Sequence, residues 1–263
     1  MSARFQGARV LVSGASGFIG SHLVGGLSAE GAQVHALSRQ ADPWRLRGLG
    51  PCVTLHRVDL CDAQGVRSLL DGLRPEFVFH LAASTSVERD MALLPAMLRA
   101  NVEGTANLAA ACGGVRSFVY TGTCEEYGDQ EAPFREDSRE SPVSPYSLSK
   151  AMASHLCLML HRTRAFPAVV ARPFLTYGPR QEGGMFIPAL LRACLEGRDF
   201  EMTPGEQTRE FNFVGDIVEG LLLAALTPAA LGEIINLGSG REVTVREAAG
   251  LIVQLTGSRT VLK

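Results

Sequence analysis

The sequence predicts an α/β protein built on a doubly wound parallel sheet, with a second, smaller domain. Three observations lead there. Short β-branched runs alternate with helical stretches through the first hundred residues. A glycine-rich turn separates the first run from the first helix, and the character of the chain changes after Arg172. In order, Arg9 to Val12 reads as strand one, and the glycine turn and a helix through about Ser28 follow. Gly31 stops that helix and Gln33 to Leu37 reads as strand two, which completes a βαβ unit. Cys52 to Val58, Phe77 to Leu81, Ser117 to Thr121 and Ala168 to Ala171 read as strands three to six, with a helix over Leu93 to Cys112. An irregular stretch, Gly128 to Pro145, mixes charges with prolines; loops of that length are functional or disordered. Beyond Arg172, RPFLTYGPRQEGGMF is rich in Pro and Gly, and loops, helices and a short strand at Glu233 to Leu237 read as the second domain. The expected boundaries are 1–172 and 173–263, with some later segments returning to the first domain.

Composition sets the outer limits. A chain of 263 residues, 46% hydrophobic and 20% charged, buries a large core, which excludes disorder, collagen and a disulfide-stapled miniprotein. The net charge of −2 suggests neither nucleic acid nor an anionic membrane as partner. No run approaches the roughly 20 apolar residues that span a bilayer, and the start enters a strand pattern without signal-peptide architecture, so a cytoplasmic location is expected. Six cysteines lie scattered without Cys-x-x-Cys or Cys/His spacing, so reduced thiols and no metal are expected.

Gly14-Ala15-Ser16-Gly17-Phe18-Ile19-Gly20 sits between a strand and a helix, where backbone amides at a helix N-terminus hold a pyrophosphate. A tight turn explains one glycine; three at this spacing, with a second strand at the expected distance, point to a Rossmann-type dinucleotide site. Gly14, Gly17, Phe18, Ile19 and Gly20 are its candidates. An acid at the end of strand two selects NAD, and a neighbouring Arg selects NADP. Here the end reads Ser38-Arg39, with no carboxylate before Asp42, so NADP(H) is favoured over NAD(H). If Arg39 is an ordinary solvated residue, either cofactor fits.

Ser144-Pro145-Tyr146-Ser147-Leu148-Ser149-Lys150 reads as a helix start, with Ser144 as N-cap and Pro145 at the first helical position. Tyr146 and Lys150 then share a face, one turn apart. A phenol that works near neutral pH must fall from about 10 toward 7, roughly 4 kcal/mol. One ammonium at about 4 Å supplies about 4 kcal/mol only at an effective dielectric near 20, so the pair needs a partly dry cleft. By itself that spacing also fits a surface helix; alongside the glycine turn it reads as an acid/base pair. Upstream, a strand runs out into a polar loop where Thr123 offers a hydroxyl.

With these residues in hand, the chain resembles the extended short-chain dehydrogenase/reductase family, in its branch of nucleotide-sugar epimerases, dehydratases and reductases. The resemblance runs through nearly the whole length: the GASGFIG turn, Val58-Asp59-Leu60, His80-Leu81-Ala82-Ala83, Asn101 to Thr105, the Thr123 loop, Tyr146 with Lys150, Arg172-Pro173-Phe174 and Tyr177-Gly178-Pro179, Arg209 to Val214 and Asn236 to Gly240. It implies that Tyr146 moves a proton on a sugar oxygen, Lys150 holds the nicotinamide ribose and tunes Tyr146, and Thr123 orients the oxygen. It also implies that Asp59 and Leu60 contact adenine and that Leu81, Ala82 and Ala83 pass close to the cofactor. Ser84, Glu125, Arg180 and Arg209 would meet the substrate, the arginines on its nucleotide or diphosphate.

Departures from the family pattern select the reaction. Sugar 4,6-dehydratases carry Asp and Glu after the loop hydroxyl; here Cys124 and Glu125 follow Thr123, and a buried thiol is a poor general acid. The Cys124-Glu125-Glu126-Tyr127-Gly128 run is more similar to that of reductases of 4-keto-6-deoxy sugars, which use NADPH. An NADPH-dependent reduction at carbon 4 of a nucleoside-diphosphate sugar is therefore expected, with 4-epimerisation as the alternative and a silent dinucleotide-binding regulator as the rival of another class. Leu175 and Ser84 replace the frequent Asn and Gln, and the chain stops soon after the helix Val245 to Leu255, so an unusual or shortened substrate domain is expected. The resemblance further implies a homodimer through the Tyr146 helix and the one before it, with Met152, Leu156, Met159 and Leu160 facing a partner or the core.

Overall fold

The computed structural model describes residues 4–40 and 43–263, so Asp42 lies outside the described residues. The first half runs β1 (Arg9–Ser13), α1 (Phe18–Ala29), β2 (Gln33–Ser38), β3 (Val53–Arg57), α2 (Ala63–Leu73), β4 (Phe77–His80), α3 (Leu94–Met97), α4 (Gly104–Ala111), β5 (Ser117–Thr121) and α5 (Pro145–Arg164). There follow β6 (Ala168–Pro173), β7 (Thr176–Tyr177), α6 (Phe186–Glu196), β8 (Thr208–Arg209), β9 (Asn212–Phe213), α7 (Val214–Leu226), β10 (Ile234–Leu237), β11 (Val243–Thr244) and α8 (Val245–Thr256).

Seven strands pair in the order β10-β6-β5-β4-β1-β2-β3, every pair parallel. The winding reverses between β1 and β4, the switch point where open α/β sheets leave a crevice beyond their strands' carboxyl ends. Strands β4, β5 and β6 are buried along their whole length, as a parallel sheet flanked by helices requires. Val78, Phe118 and Val170 of the sheet share a core with Val66 and Leu70 of α2, Leu108 of α4 and Cys157 of α5. Each large side chain fully buried there contributes about 1.5–3 kcal/mol.

Two expectations change. The helix expected over Leu93 to Cys112 is broken: a 3-10 turn at Met91–Leu93 precedes α3, and a π-helical segment, Leu98–Glu103, separates α3 from α4. The π segment carries Asn101, which is buried and hydrogen-bonded to residues outside the helix. The short strand read into the second domain is instead the seventh strand of the main sheet, parallel to β6.

The chain divides into two compact units. One comprises the residues up to Pro173 together with Val218–Leu237; the other comprises Phe174–Ile217 and Gly238–Lys263. Within the second, β7 pairs with β9 and β8 with β11, while Leu190 and Cys194 of α6 pack with Ala249 of α8. Among the described residues no helix is long and apolar enough to cross a membrane. None of them gather as a group of three or more His, Cys, Asp or Glu that could hold a metal ion.

Candidate functional site

The glycine turn joins β1 to α1 at the switch point. Gly14 has φ +69°, and a Cβ there would lie 2.6 Å from the Ala82 nitrogen and the Leu81 carbonyl carbon. The turn is thereby pressed against the segment leaving β4. Gly20 lies against the Gly14 carbonyl with no room for a side chain. Gly17, the N-cap of α1, supplies no side-chain hydrogen bond, and the first turn, Phe18 and Ile19 included, holds no acidic residue. The leading amides of α1 therefore meet no carboxylate or hydroxyl of their own helix, and a pyrophosphate fits there.

At the end of β2, the buried Ser38 donates its hydroxyl to Ser16 Oγ at 3.0 Å and accepts from the Gln40 N–H at 3.0 Å. Arg39 is exposed. Asp59 is exposed too, and its carboxyl is held below the usual range chiefly by the Cys61 N–H, with Arg39 adding to the pull. Leu60 is buried. Arg45, which the sequence reading missed, donates to the Ser16 carbonyl at 3.4 Å and lies over the Trp44 ring. Arg45 thus meets the Ser16 turn directly, while Arg39 follows Ser38 along the chain and acts on Asp59.

After β4, Leu81, Ala82 and Ala83 are part-buried, and the Ala82 N–H donates to Ser13 Oγ at 3.3 Å. Ser84 is held at both backbone atoms by the Asn101 side chain, at 2.7 and 3.0 Å, and the same amide donates to Ser149 Oγ at 2.8 Å. Asn101 thereby ties the segment beyond β4 to the helix that carries Tyr146. The buried His80 bridges Ser13 (2.6 Å) and Thr105 (2.8 Å). Burial lowers its pKa to about 3, and the Lys150 charge adds to that, so the ring is neutral.

Helix α5 begins as expected, with a Ser144–Ser147 capping box and Pro145 in its first turn. Thr123, buried just beyond β5, acts on the Tyr146 phenol, and its hydroxyl accepts the Glu125 N–H at 3.3 Å. Lys150 Nζ donates to the Thr121 carbonyl at 2.5 Å and lies 4.4 Å from the centroid of the Tyr120 ring. Burial lowers the Lys150 pKa to about 8, while Glu126 pulls it back up. The fall expected for the phenol does not occur among the protein's own groups. Burial raises the Tyr146 pKa above the ordinary tyrosine value; the Thr123 hydroxyl opposes this, and Glu126, Cys124 and Glu125 reinforce it. Cys124 is half-buried, not buried as expected, because it opens the 3-10 turn Cys124–Tyr127, whose inner face belongs to Glu126 and Tyr127; Glu125 is exposed.

Arg180 and Arg209 belong to the second unit. Arg180 has φ +65°. Arg209, on β8, is exposed and donates to the Thr208 carbonyl at 2.7 Å. The neighbouring Glu210 accepts from the Ser239 and Gly240 amides and ties β8 to the turn that leads into β11. A cavity of about 410 Å³ in this unit is lined by Phe211, Arg241 and Glu242, among others.

Asn101 and Glu126, which stand in motifs quoted above, and Arg45 receive no role from the sequence, because Ser149, Arg172 and Ser16 lie far along the chain from them. One signal for Lys150 was available: the chain has two lysines, Lys150 and Lys263, against 23 arginines. A buried cation whose pKa burial brings down to about 8 is where arginine cannot substitute.

Residues 10–238 match the sequence profile of the NAD dependent epimerase/dehydratase family. A UDP-N-acetyl-alpha-D-glucosaminuronate decarboxylase of Bacillus cytotoxicus is 34% identical over 266 residues, covering 95% of this chain and 81% of the relative. Among solved structures, the epimerase Mth375 of Methanothermobacter thermautotrophicus superposes with a TM-score of 0.90 at 31% identity, over 99% of this chain and 80% of that one. The UDP-glucuronic acid 4-epimerase of Bacillus cereus, in complex with UDP-glucuronic acid and NAD, gives a TM-score of 0.86 at 28% identity, over 97% and 85%.

Proposed function

This chain belongs to the NAD-dependent epimerase/dehydratase family of nucleotide-sugar enzymes, and on that premise we propose that it is an NADPH-dependent reductase of a nucleoside-diphosphate 4-keto-6-deoxy sugar. The observation that carries the reading is the placement of Thr123, buried beyond β5, where it acts on the Tyr146 phenol, with Lys150 one turn further along the same helix. When bound, a reduced nicotinamide dinucleotide supplies the hydride to sugar carbon 4. Tyr146 Oη gives the proton to the oxygen on that carbon, and Thr123 Oγ1 orients the same oxygen. Burial keeps the phenol protonated, the form from which it gives that proton. Gly14, Gly17, Phe18, Ile19 and Gly20 take the pyrophosphate, Asp59 and Leu60 the adenine, and Leu81 to Ala83 line the cofactor's path. Ser38, Arg39 and Arg45 take the 2′-phosphate of NADP, two guanidinium groups being suited to a dianion. Ser84, Glu125, Arg180 and Arg209 meet the substrate. We also propose a homodimer through α5, whose Leu148, Met152 and Met159 are exposed at 37%, 43% and 40%.

The second reading is 4-epimerisation, favoured by the likeness to the UDP-glucuronic acid 4-epimerase. Incubation with NADPH and a panel of nucleoside-diphosphate 4-keto-6-deoxy sugars, followed by absorbance, separates the two. Stoichiometric NADPH oxidation supports the reductase; interconversion of UDP-sugars without net oxidation supports the epimerase. In either case Tyr146→Phe should cut turnover about 10²–10⁴-fold and leave dinucleotide affinity nearly unchanged. Turnover that survives the change refutes the assignment of Tyr146.

A further inference from the structure

Beneath the Thr123 loop lies a buried charged network that the reaction as described does not use. Glu126 is fully buried, and its two oxygens serve different partners. Oε1 accepts the Thr123 N–H at 2.9 Å. Oε2 accepts the Ser154 hydroxyl at 2.8 Å and the Arg172 guanidinium at 2.8 and 3.0 Å. Arg172, also fully buried, donates to Glu140 at 2.6 Å and lies over the Tyr127 ring. A Cβ at Gly122 would come within 2.5 Å of Glu126 Oε1 and 3.1 Å of Arg172 Cγ, so the loop backbone rests directly on the network. Ser154 stands one turn beyond Lys150 on the same face of α5, and Lys150 donates to Thr121, two residues before Thr123. Glu126 therefore reaches both arms of the site from behind.

Resting on the roles assigned above to Thr123, Tyr146 and Lys150, we propose that Glu126 is a positioning residue of this site: Oε1 fixes Thr123, and the carboxylate is the counter-charge of the Lys150 ammonium.

The surrounding charges support this. The groups that act on Lys150 or touch it are His80 from β4, Tyr120 from β5, Cys157 from α5, and Glu126. Burial keeps His80 neutral, holds the Cys157 thiol up at about 12 and keeps the Tyr120 phenol protonated. Glu126 is the carboxylate of this group. Arg172 is shared with Glu140, which faces His155 at 3.3 Å on its outer side. Two carboxylates thus meet one guanidinium, and the remaining negative charge matches Lys150.

With two lysines in the chain, protein labelled with [13Cε]lysine reports the titration of Lys150 by NMR beside Lys263, without turnover. Glu126→Gln keeps the shape and removes the charge. The Lys150 midpoint, near 8 in the parent, should fall by about one pH unit, and the alkaline limb of kcat should move down with it. Glu126→Asp keeps the charge and withdraws the oxygen from Thr123; the midpoint should hold within about 0.3 unit while kcat falls about tenfold and KM stays within about twofold. An unmoved midpoint in Glu126→Gln, or parent-like kcat in Glu126→Asp, overturns the proposal; should Glu126→Gln fail to fold, the Asp variant decides. Tyr146→Phe separates the two levels. Turnover that survives in it refutes the catalytic reading, whereas its loss together with parent-like Glu126 variants refutes only this inference.

Discussion

Gly14→Ala tests whether the turn after β1 is as tightly constrained as its geometry indicates. Two costs add. At φ +69° an alanine sits in the left-handed region, which costs about 1–2 kcal/mol. The new methyl would also lie 2.6, 2.6 and 2.8 Å from three backbone atoms of Leu81 and Ala82, well inside ordinary contact. No side-chain rotation relieves that clash. The carboxyl ends of β1 and β4, paired through Ser13 and His80, would have to separate, and overpacking of this kind costs about 1–3 kcal/mol. The total, about 2–5 kcal/mol, is a large part of the roughly 5–15 kcal/mol that holds a domain folded. Urea unfolding followed by far-ultraviolet circular dichroism should show the midpoint falling by about 1–2 M, and fluorescence titration should show weaker dinucleotide binding. A variant that unfolds at the parental midpoint and binds with parental affinity would show that the turn and the segment beyond β4 are not in contact.

Acid should destabilise the protein through His80. Its folded pKa of about 3 lies below the ordinary 6.5. Between those values the unfolded chain binds a proton that the folded one refuses, so stability falls as pH drops from about 6.5 toward 3, by about 1.4 kcal/mol per unit. Urea midpoints measured across that range in the parent and in His80→Gln check it, since the variant should lose this part of the slope. Arg45→Ala should weaken NADPH binding about tenfold and leave NADH binding nearly unchanged, as read by fluorescence titration. Equal losses for both nucleotides would mean that Arg45 shapes the Ser16 turn without reading the phosphate.

Local chemistry was legible in the sequence, and long-range pairing was not. The Ser144–Pro145 helix start and the Gly14 turn are written in adjacent residues, so local spacing alone marks both. The partnership of Glu126 with Arg172 spans 46 positions, and nothing in the local spacing of either residue marks it. Glu233 to Leu237 reads as a strand from composition, yet only its pairing with β6 places it in the main sheet. Asn101 stood within a recognised motif, but the π segment that turns its amide toward Ser84 and Ser149 depends on partners supplied by other elements. Residue spacing shows the ammonium that would lower the Tyr146 pKa but not the burial that opposes it. Burial acts on both groups and raises Tyr146 while lowering Lys150.

The late return of the chain to form β10 limits how the protein can be shortened. A polypeptide ending at Pro173 would keep the glycine turn, Tyr146 and Lys150, but would strip the flanking strand from β6 and leave a fully buried strand with an open row of amides and carbonyls. Such a rim recruits strands from other molecules, and the fragment would precipitate or form intermolecular sheets. In the intact chain the rim formed by β10 is blunted by the loop before α5, where Glu136 accepts the Asn236 N–H and the Phe134 carbonyl accepts the Asn236 side chain.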